Sequence, residues 1–154
     1  MNHQRSDIVA NILMTIKPRH LHNILIGEKT FELRKTKPKN TVLSDYPLHV
    51  YLVESGSGGL IKGEFDCYFI NSVCVWSDGD IKFYPNDACV TEQELKEYAG
   101  DNVIYAWKID NVHGAKSEHI KGYTRDLDYK VRSISEFGFN RPPLSWCYIK
   151  DGDK

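Results

Sequence analysis

The sequence has no long hydrophobic run and no closely paired cysteines. Its longest apolar stretches, residues 8–16 and 67–70, fall far short of the roughly 20 residues that a helix needs to span a bilayer. Asn11 and Thr15 interrupt the first stretch and no small-residue cleavage site follows it, so we expect neither a membrane span nor a secretory signal. The four cysteines form no C-x-x-C pair. We expect free thiols in a cytoplasmic protein that holds no metal and no other cofactor.

Net charge is also small, at −1 over 154 residues, but its distribution along the chain is uneven. Residues 1–40 carry eight basic and three acidic side chains, a formal charge of +5, and the remainder carries −6. A basic face opposite an acidic one is typical of a phosphate-binding surface on a neutral protein. The length and the 41% hydrophobic content fit one domain, residues 1–154, with a core over about 12–149.

Hydrophobic periodicity and turn signals predict an α+β domain with many strands and two short helices. A buried strand over 11–16 leads into a helix that begins at Pro18 and ends at Gly27, and a strand follows over 30–34. A second helix begins after the capping box of Thr91 and Glu94, with Leu95 and Tyr98 facing inward, and it ends at Gly100. Further strands are predicted over 48–53, 61–76 (one bent strand or two, with a candidate bulge at Gly63), 103–109 and 144–149, and a polar surface excursion over 110–130. This pattern favours a small mixed or antiparallel β-barrel, closed or half-closed, with short flanking helices.

Basic residues stand at the start of the first helix. Lys17 and Arg19 flank Pro18, where the positive end of the helix dipole disfavours cations. Either a phosphate binds there, held by free N–H groups and both side chains, or the two side chains extend into solvent and a small penalty is tolerated. Nearby His20 and His22 lie two residues apart on a helix, so their rings point in different directions and cannot share a metal ion.

Glu32 and Arg34 occupy one face of the predicted strand at 30–34. Two residues apart on a strand, they can form an ion pair that fixes the guanidinium against a ligand's polar edge or phosphate. An exposed structural ion pair would have the same sequence. Aromatic side chains that could stack on bases are Tyr51, Tyr68, Trp76 and Trp146, although Trp107 and Trp146 lie in alternating strands typical of a core.

Two motifs resemble the signature of the ASCH family, a branch of the PUA-like barrel superfamily. They are M-T-I-K-P at 14–18 and G-x-K-x-x-E-x-R at 27–34. The G-E-F segment at 63–65 and the P-x-S-W-C-Y segment at 143–148 resemble strands of small stand-alone bacterial and phage-encoded members. The resemblance therefore covers residues 12–149, nearly the whole chain.

The resemblance implies a PUA-like β-barrel whose cleft, between the barrel and the first helix, binds RNA or a nucleotide. In this hypothesis Lys17 and Arg19 hold phosphate, Arg34 positioned by Glu32 reads a polar edge or a second phosphate, and Lys29 closes the pocket. The expected binding residues are Lys17, Arg19, Lys29, Glu32, Arg34 and Tyr51. The expected partner is RNA or a nucleotide, with no membrane association, and the expected state is a monomer or weak dimer.

Two enzymatic branches of the family supply an alternative. One is an amidohydrolase acting on acetylated cytidine and the other is a ribonuclease acting on single-stranded RNA. In either, Lys29 and Glu32 would form the acid/base pair. In the ribonuclease branch, Lys29 would also stabilise a developing phosphorane and Ser145 would contribute a hydroxyl. The amidohydrolase branch carries a threonine nucleophile at the position that Glu32 occupies here, which is a departure from that branch. A protein-binding regulator is the third alternative.

Overall fold

The computed structural model describes residues 10–76, 79–115 and 128–150, and within them it shows two helices and nine strands. The helices are α1 (Pro18–Leu25) and α2 (Glu92–Ala99). The strands are β1 (Asn11–Ile16), β2 (Phe31–Arg34), β3 (Leu48–Glu54), β4 (Leu60–Cys67), β5 (Ile70–Val73), β6 (Ile104–Lys108), β7 (Asp110–Gly114), β8 (Arg132–Ser133) and β9 (Trp146–Ile149).

The strands form two sheets. The first has the order β7-β4-β3-β1-β9, with β8 also paired to β4, and the second has the order β2-β6-β5. Only the β1–β3 pair is parallel among the strand pairs of the described residues. The predicted α+β class is therefore confirmed, and the pairings within the described ranges do not close into a barrel.

The main core lies between the first sheet and α1. β1 is an interior strand, between β3 and β9, and is buried on both faces, which explains its unbroken apolar run from Ile12 to Met14. α1 packs its Leu21, Ile24 and Leu25 stripe against this sheet, as the periodicity predicted. Glycine at 114 of β7 permits this approach, because a Cβ there would overlap the Leu25 side chain.

The second sheet packs against α2 through Leu33, Leu95, Ile104 and Ala106. Trp107 lies on the opposite face of β6 from Ile104 and Ala106 and is fully buried in the main core with residues of the first sheet. Alternate side chains of one strand thus contribute to two cores. The two sheets are joined at this strand.

Several elements differ from their predicted form. The prediction of a polar surface excursion over 110–130 is wrong for its first residues, which form β7 and pair with β4. Residues 116–127 of this region lie outside the described residues. The segment 61–76 divides into β4 and β5, and the β3–β4 register shifts beside Gly63. No helix in the described part of the chain is long and apolar enough to cross a membrane.

Candidate functional site

A cleft of about 400 Å³ opens where β1 and α1 of the first layer meet β2 and α2 of the second. Five of the six predicted binding residues line it, namely Lys17, Arg19, Lys29, Glu32 and Arg34. Its walls are completed by Thr15, Ile16, His20, Leu33, Ser55, Val90, Glu94, Leu95, Tyr98 and Leu144. The two signature elements at 14–18 and 27–34 therefore meet at one site.

The floor of the cleft is a buried cluster around Glu32. Lys29 Nζ lies 3.2 Å from Glu32 Oε1, and Arg34 reaches Oε2 with Nη2 at 2.7 Å and Nε at 2.9 Å. Lys29, Glu32 and Arg34 are only 2%, 5% and 8% exposed, so this is not the exposed surface pair that the sequence also allowed. The alternation of β2 places Glu32 and Arg34 on one face, while Leu33 belongs to the core cluster that includes Leu95 of α2 and also contributes to the cleft wall.

Arg34 makes four hydrogen bonds within the protein and one further ion-pair contact with Glu32. Nε donates to Glu32 Oε2, which Nη2 also approaches, and Nη2 donates to the Thr15 carbonyl oxygen at 2.7 Å. Nη1 donates to Ser145 Oγ at 3.2 Å and to the Ser145 carbonyl oxygen at 3.4 Å. Arg34 thus connects β2 to β1 and to the residue that precedes β9. Its geometry serves to position these elements and Glu32.

Lys29 is held from the opposite side by the turn at 85–88. Its Nζ donates to the Ala88 carbonyl oxygen at 2.5 Å, and the neighbouring Thr30 N–H donates to the Asp87 carbonyl oxygen at 2.8 Å. The chain reaches this position because Gly27 adopts φ 87 after α1, which lets the backbone turn back into β2. The ammonium group therefore donates to Ala88 and pairs with Glu32 at the lining of the cleft.

The floor carries more positive than negative charge. Burial opposes ionisation of Glu32, but the Arg34 and Lys29 charges outweigh it and hold the pKa of Glu32 below its ordinary 4.5. Glu32 is therefore a carboxylate at neutral pH, set between two cations. The exposed Lys17 and Arg19 add charge at the rim, where Glu94 Oε2 lies 3.5 Å from Arg19 Nη2.

The start of α1 forms the rim of the cleft. Pro18 occupies the first turn, Lys17 precedes it in an extended conformation, and no side chain caps the free N–H groups. The first turn contains no acidic residue. Free N–H groups and two exposed cations together form a suitable anion-binding arrangement.

His20 is a cleft residue that sequence reasoning considered only as a metal ligand. Its ring lines the cleft, and its Nδ1 is buried without a hydrogen-bond partner in the described structure. Burial, followed by the Lys29 charge, lowers the pKa of His20 below 6.5, although Glu32 acts in the opposite direction. The signal was available: His20 lies one turn before Ile24 and therefore extends the buried stripe of α1 towards the cleft.

The aromatic predictions are only partly met by the geometry of the cleft. Tyr51 lies outside it on β3, where its ring packs 5.1 Å from that of Phe137. Trp146 packs 5.4 Å from the buried Trp107, as core aromatic rings do. Tyr98, which was predicted to face inward, is 37% exposed and lines the cleft wall.

No protein-family model and no curated protein matches the chain. Solved structures of the ASCH protein from Zymomonas mobilis are similar to it. One, named simply as ASCH, has 18% identity and a TM-score of 0.64 over 92% of this chain and 88% of that chain. A serine-to-alanine mutant has 16% identity and a TM-score of 0.64, with 92% and 89% covered. A tyrosine-to-phenylalanine mutant has 15% identity and a TM-score of 0.65, with 92% and 91% covered. The chain has the fold of an ASCH domain, as the motifs at 14–18 and 27–34 predicted.

Proposed function

We propose that the protein binds RNA or a nucleotide in the cleft between α1 and β2. The observation that carries this proposal is the uncapped, doubly basic start of α1 at the mouth of a 400 Å³ cleft whose floor holds two buried cations and one carboxylate. Clefts of this size accommodate small organic ligands. The association of ASCH domains with RNA supports the same class of ligand.

Each cleft residue receives a role from its contacts. Lys17 and Arg19 bind phosphate, and Lys29 Nζ donates to the ligand. Glu32, ionised and fixed by two cations, accepts from a ligand N–H or O–H group. Arg34 positions Glu32 and Ser145, because its hydrogen bonds go to Glu32, Thr15 and Ser145.

We further place the two sheets in a PUA-like half-barrel within a single domain of residues 1–154. Support comes from the similarity to ASCH structures over 92% of the chain. The proposal includes action as a monomer or weak dimer in the cytoplasm.

Fluorescence anisotropy with a labelled single-stranded RNA, measured over a range of salt concentrations, tests the proposal. We expect the double variant Lys17→Ala/Arg19→Ala to weaken binding. The slope of log K against log salt should fall by about 1.4, since each lost phosphate contact on a single strand contributes about 0.7. Lys82→Ala/Lys130→Ala, which removes two exposed lysines away from the cleft, is the matched control. Equal affinities and slopes for both double variants would contradict the proposal and favour a protein-binding regulator.

A hydrolase is the second candidate, and His20 is the observation that favours it. A neutral imidazole in the cleft can accept a proton from a hydroxyl or a water molecule at neutral pH. Lys29 and Glu32 lie beside it, and Arg34 holds Ser145 Oγ at 3.2 Å. Incubation with single-stranded RNA and with acetylated cytidine tests this candidate. Turnover that exceeds a Lys29→Ala control would support it, and equal product from both proteins would exclude these two reactions.

A further inference from the structure

We propose that the basic loop, residues 35–40, is a second part of the binding site and holds the phosphates next to the nucleotide in the cleft. The ligand is then a single strand of RNA and not a free nucleotide. This inference rests on the function proposed above. It adds a surface that neither the cleft nor the signature motifs include.

The composition of the basic loop suits a phosphate backbone. Its sequence, K-T-K-P-K-N, places a lysine at every second position and contains no acidic residue. Lys35, Lys37 and Lys39 are all exposed, whereas Pro38 between them is buried. A proline also disfavours helical backbone at the residue before it, so Lys37 is biased towards an extended conformation.

Contacts with neighbouring side chains anchor the basic loop without neutralising it. Lys35 Nζ lies 5.0 Å from the centre of the Tyr98 ring, and Lys37 Nζ lies 5.4 Å from that of Tyr105. Trp146 Nε1 donates to Thr36 Oγ1 at 2.9 Å. No carboxylate in the described part of the chain pairs with the three lysines. Cation–π contacts restrict an ammonium group but leave its charge available for a phosphate.

The position of the basic loop makes it continuous with the cleft. It begins directly after the buried Arg34, and its first lysine lies over Tyr98, which is itself a wall of the cleft. Lys17 and Arg19 stand on α1 at the same cleft. Cations therefore extend from α1, past the mouth, to the basic loop, which is a longer track than one nucleotide in a 400 Å³ cleft occupies. Grooves that bind single strands combine such a track with aromatic rings.

Binding of a labelled nonanucleotide of RNA and of a labelled mononucleotide, each over a range of salt concentrations, tests this inference. The variant Lys35→Gln/Lys37→Gln/Lys39→Gln should lower the salt slope of the nonanucleotide by about 2, the sum of three single-strand phosphate contacts. The mononucleotide, which occupies the cleft alone, should bind this variant as it binds the wild type. The control variant Lys82→Gln/Lys130→Gln/Lys150→Gln removes the same charge from exposed positions outside the cleft and the basic loop. It should leave both the affinity and the salt slope of each ligand as in the wild type.

The outcomes separate the two proposals. If the loop variant and its control behave alike on the nonanucleotide, while the wild type still binds RNA through Lys17 and Arg19, the inference about the basic loop is wrong and the cleft proposal stands. If the loop variant weakens binding of the nonanucleotide and of the mononucleotide equally, the loop belongs to the cleft site and not to a track beyond it. If the wild type binds neither ligand, both proposals fail.

Discussion

Arg34 donates hydrogen bonds to Glu32, Thr15 and Ser145, which lie on three segments of the chain. Replacing it with alanine leaves Glu32 buried with Lys29 as its remaining cation. Breaking a buried ion pair from one side costs about 3 to 5 kcal/mol. We expect Arg34→Ala to lower the free energy of unfolding by that amount in urea denaturation. Arg19→Ala, at an exposed position of the same cleft, should change it by about 0.5 kcal/mol or less; equal losses in both variants would contradict the positioning role.

His49 is the second ionisable side chain whose contacts imply a measurable effect. Its Nε2 lies 2.7 Å from Glu64 Oε1 and its Nδ1 lies 2.8 Å from Asp66 Oδ1. The hydrogen bond to Glu64 is the main cause that raises the pKa of His49 above 6.5, against the effect of burial. The stability that this gives is fully present below pH 6.5 and is lost as pH rises through the higher folded pKa. We expect His49→Gln to abolish that loss in unfolding curves recorded across pH; an unchanged profile would show that the imidazole is not charged.

His20 should show the opposite dependence on pH. Its pKa is lowered, chiefly by burial, so the folded protein binds the proton less well than the unfolded chain does. Stability is therefore lost as pH falls from 6.5 through the lower folded pKa. We expect His20→Gln to stabilise the protein relative to wild type in this acidic range and not above it. Titration of the ring by NMR gives the pKa directly, and a value above 6.5 would overturn this expectation.

For single residues, the sequence predicted the ion pair of Glu32 and Arg34 but not the residues that surround it. Alternation on a strand suffices to place Glu32 and Arg34 on one face. Whether these side chains are exposed depends on segments far along the chain. Lys29 donates to Ala88, which is 59 residues away, and Arg34 donates to Ser145, which is 111 residues away. Local spacing contains no information about such partners. The burial of the cluster and the hydrogen-bond partners of Arg34 could therefore be learned only from the fold.

Among the elements, α1 begins in an electrostatically unfavourable way. Lys17 has the extended backbone of an N-cap residue but cannot accept a hydrogen bond from the free N–H groups. We expect Lys17→Ser to raise the free energy of unfolding by about 1 kcal/mol while it weakens RNA binding and lowers the salt slope by about 0.7. Thr91→Ala, which removes the cap that α2 does possess, should cost about 1 kcal/mol without affecting RNA binding. If the Lys17→Ser protein gains stability and keeps its full affinity for RNA, Lys17 does not bind the ligand.

The strands and helices that the sequence predicted well are those with a strong buried period or a complete cap. β1, α1 and α2 have such signals, and their positions agree closely with the predictions. β7 was missed because the D-N-V-H-G segment of an edge strand is polar and partly exposed, so its pattern resembles a loop. Its strand character comes from hydrogen bonds to β4, which a single-strand pattern does not reveal.

In the molecule as a whole, side chains of the second sheet reach into the first. Trp107 of the second sheet is buried in the core of the first, and Arg34 of β2 donates to Thr15 of β1. We therefore expect both sheets to unfold as one unit. Amide hydrogen exchange is the measurement: the slowest amides of β3 and of β6 should report the same free energy of opening. A clearly lower value for β6 would show that the second sheet opens on its own.

The contact between Trp146 and the basic loop has a practical consequence. The indole N–H donates to Thr36, and the ring packs edge-on against Trp107 and lies 5.7 Å from Tyr148. Indole emission responds to the polarity of its surroundings, so a rearrangement of the basic loop that breaks this hydrogen bond should change the emission of Trp146. With Trp76 replaced by phenylalanine and Trp107 buried in the core, occupancy of the basic loop should then be measurable by intrinsic fluorescence, without a dye on either partner.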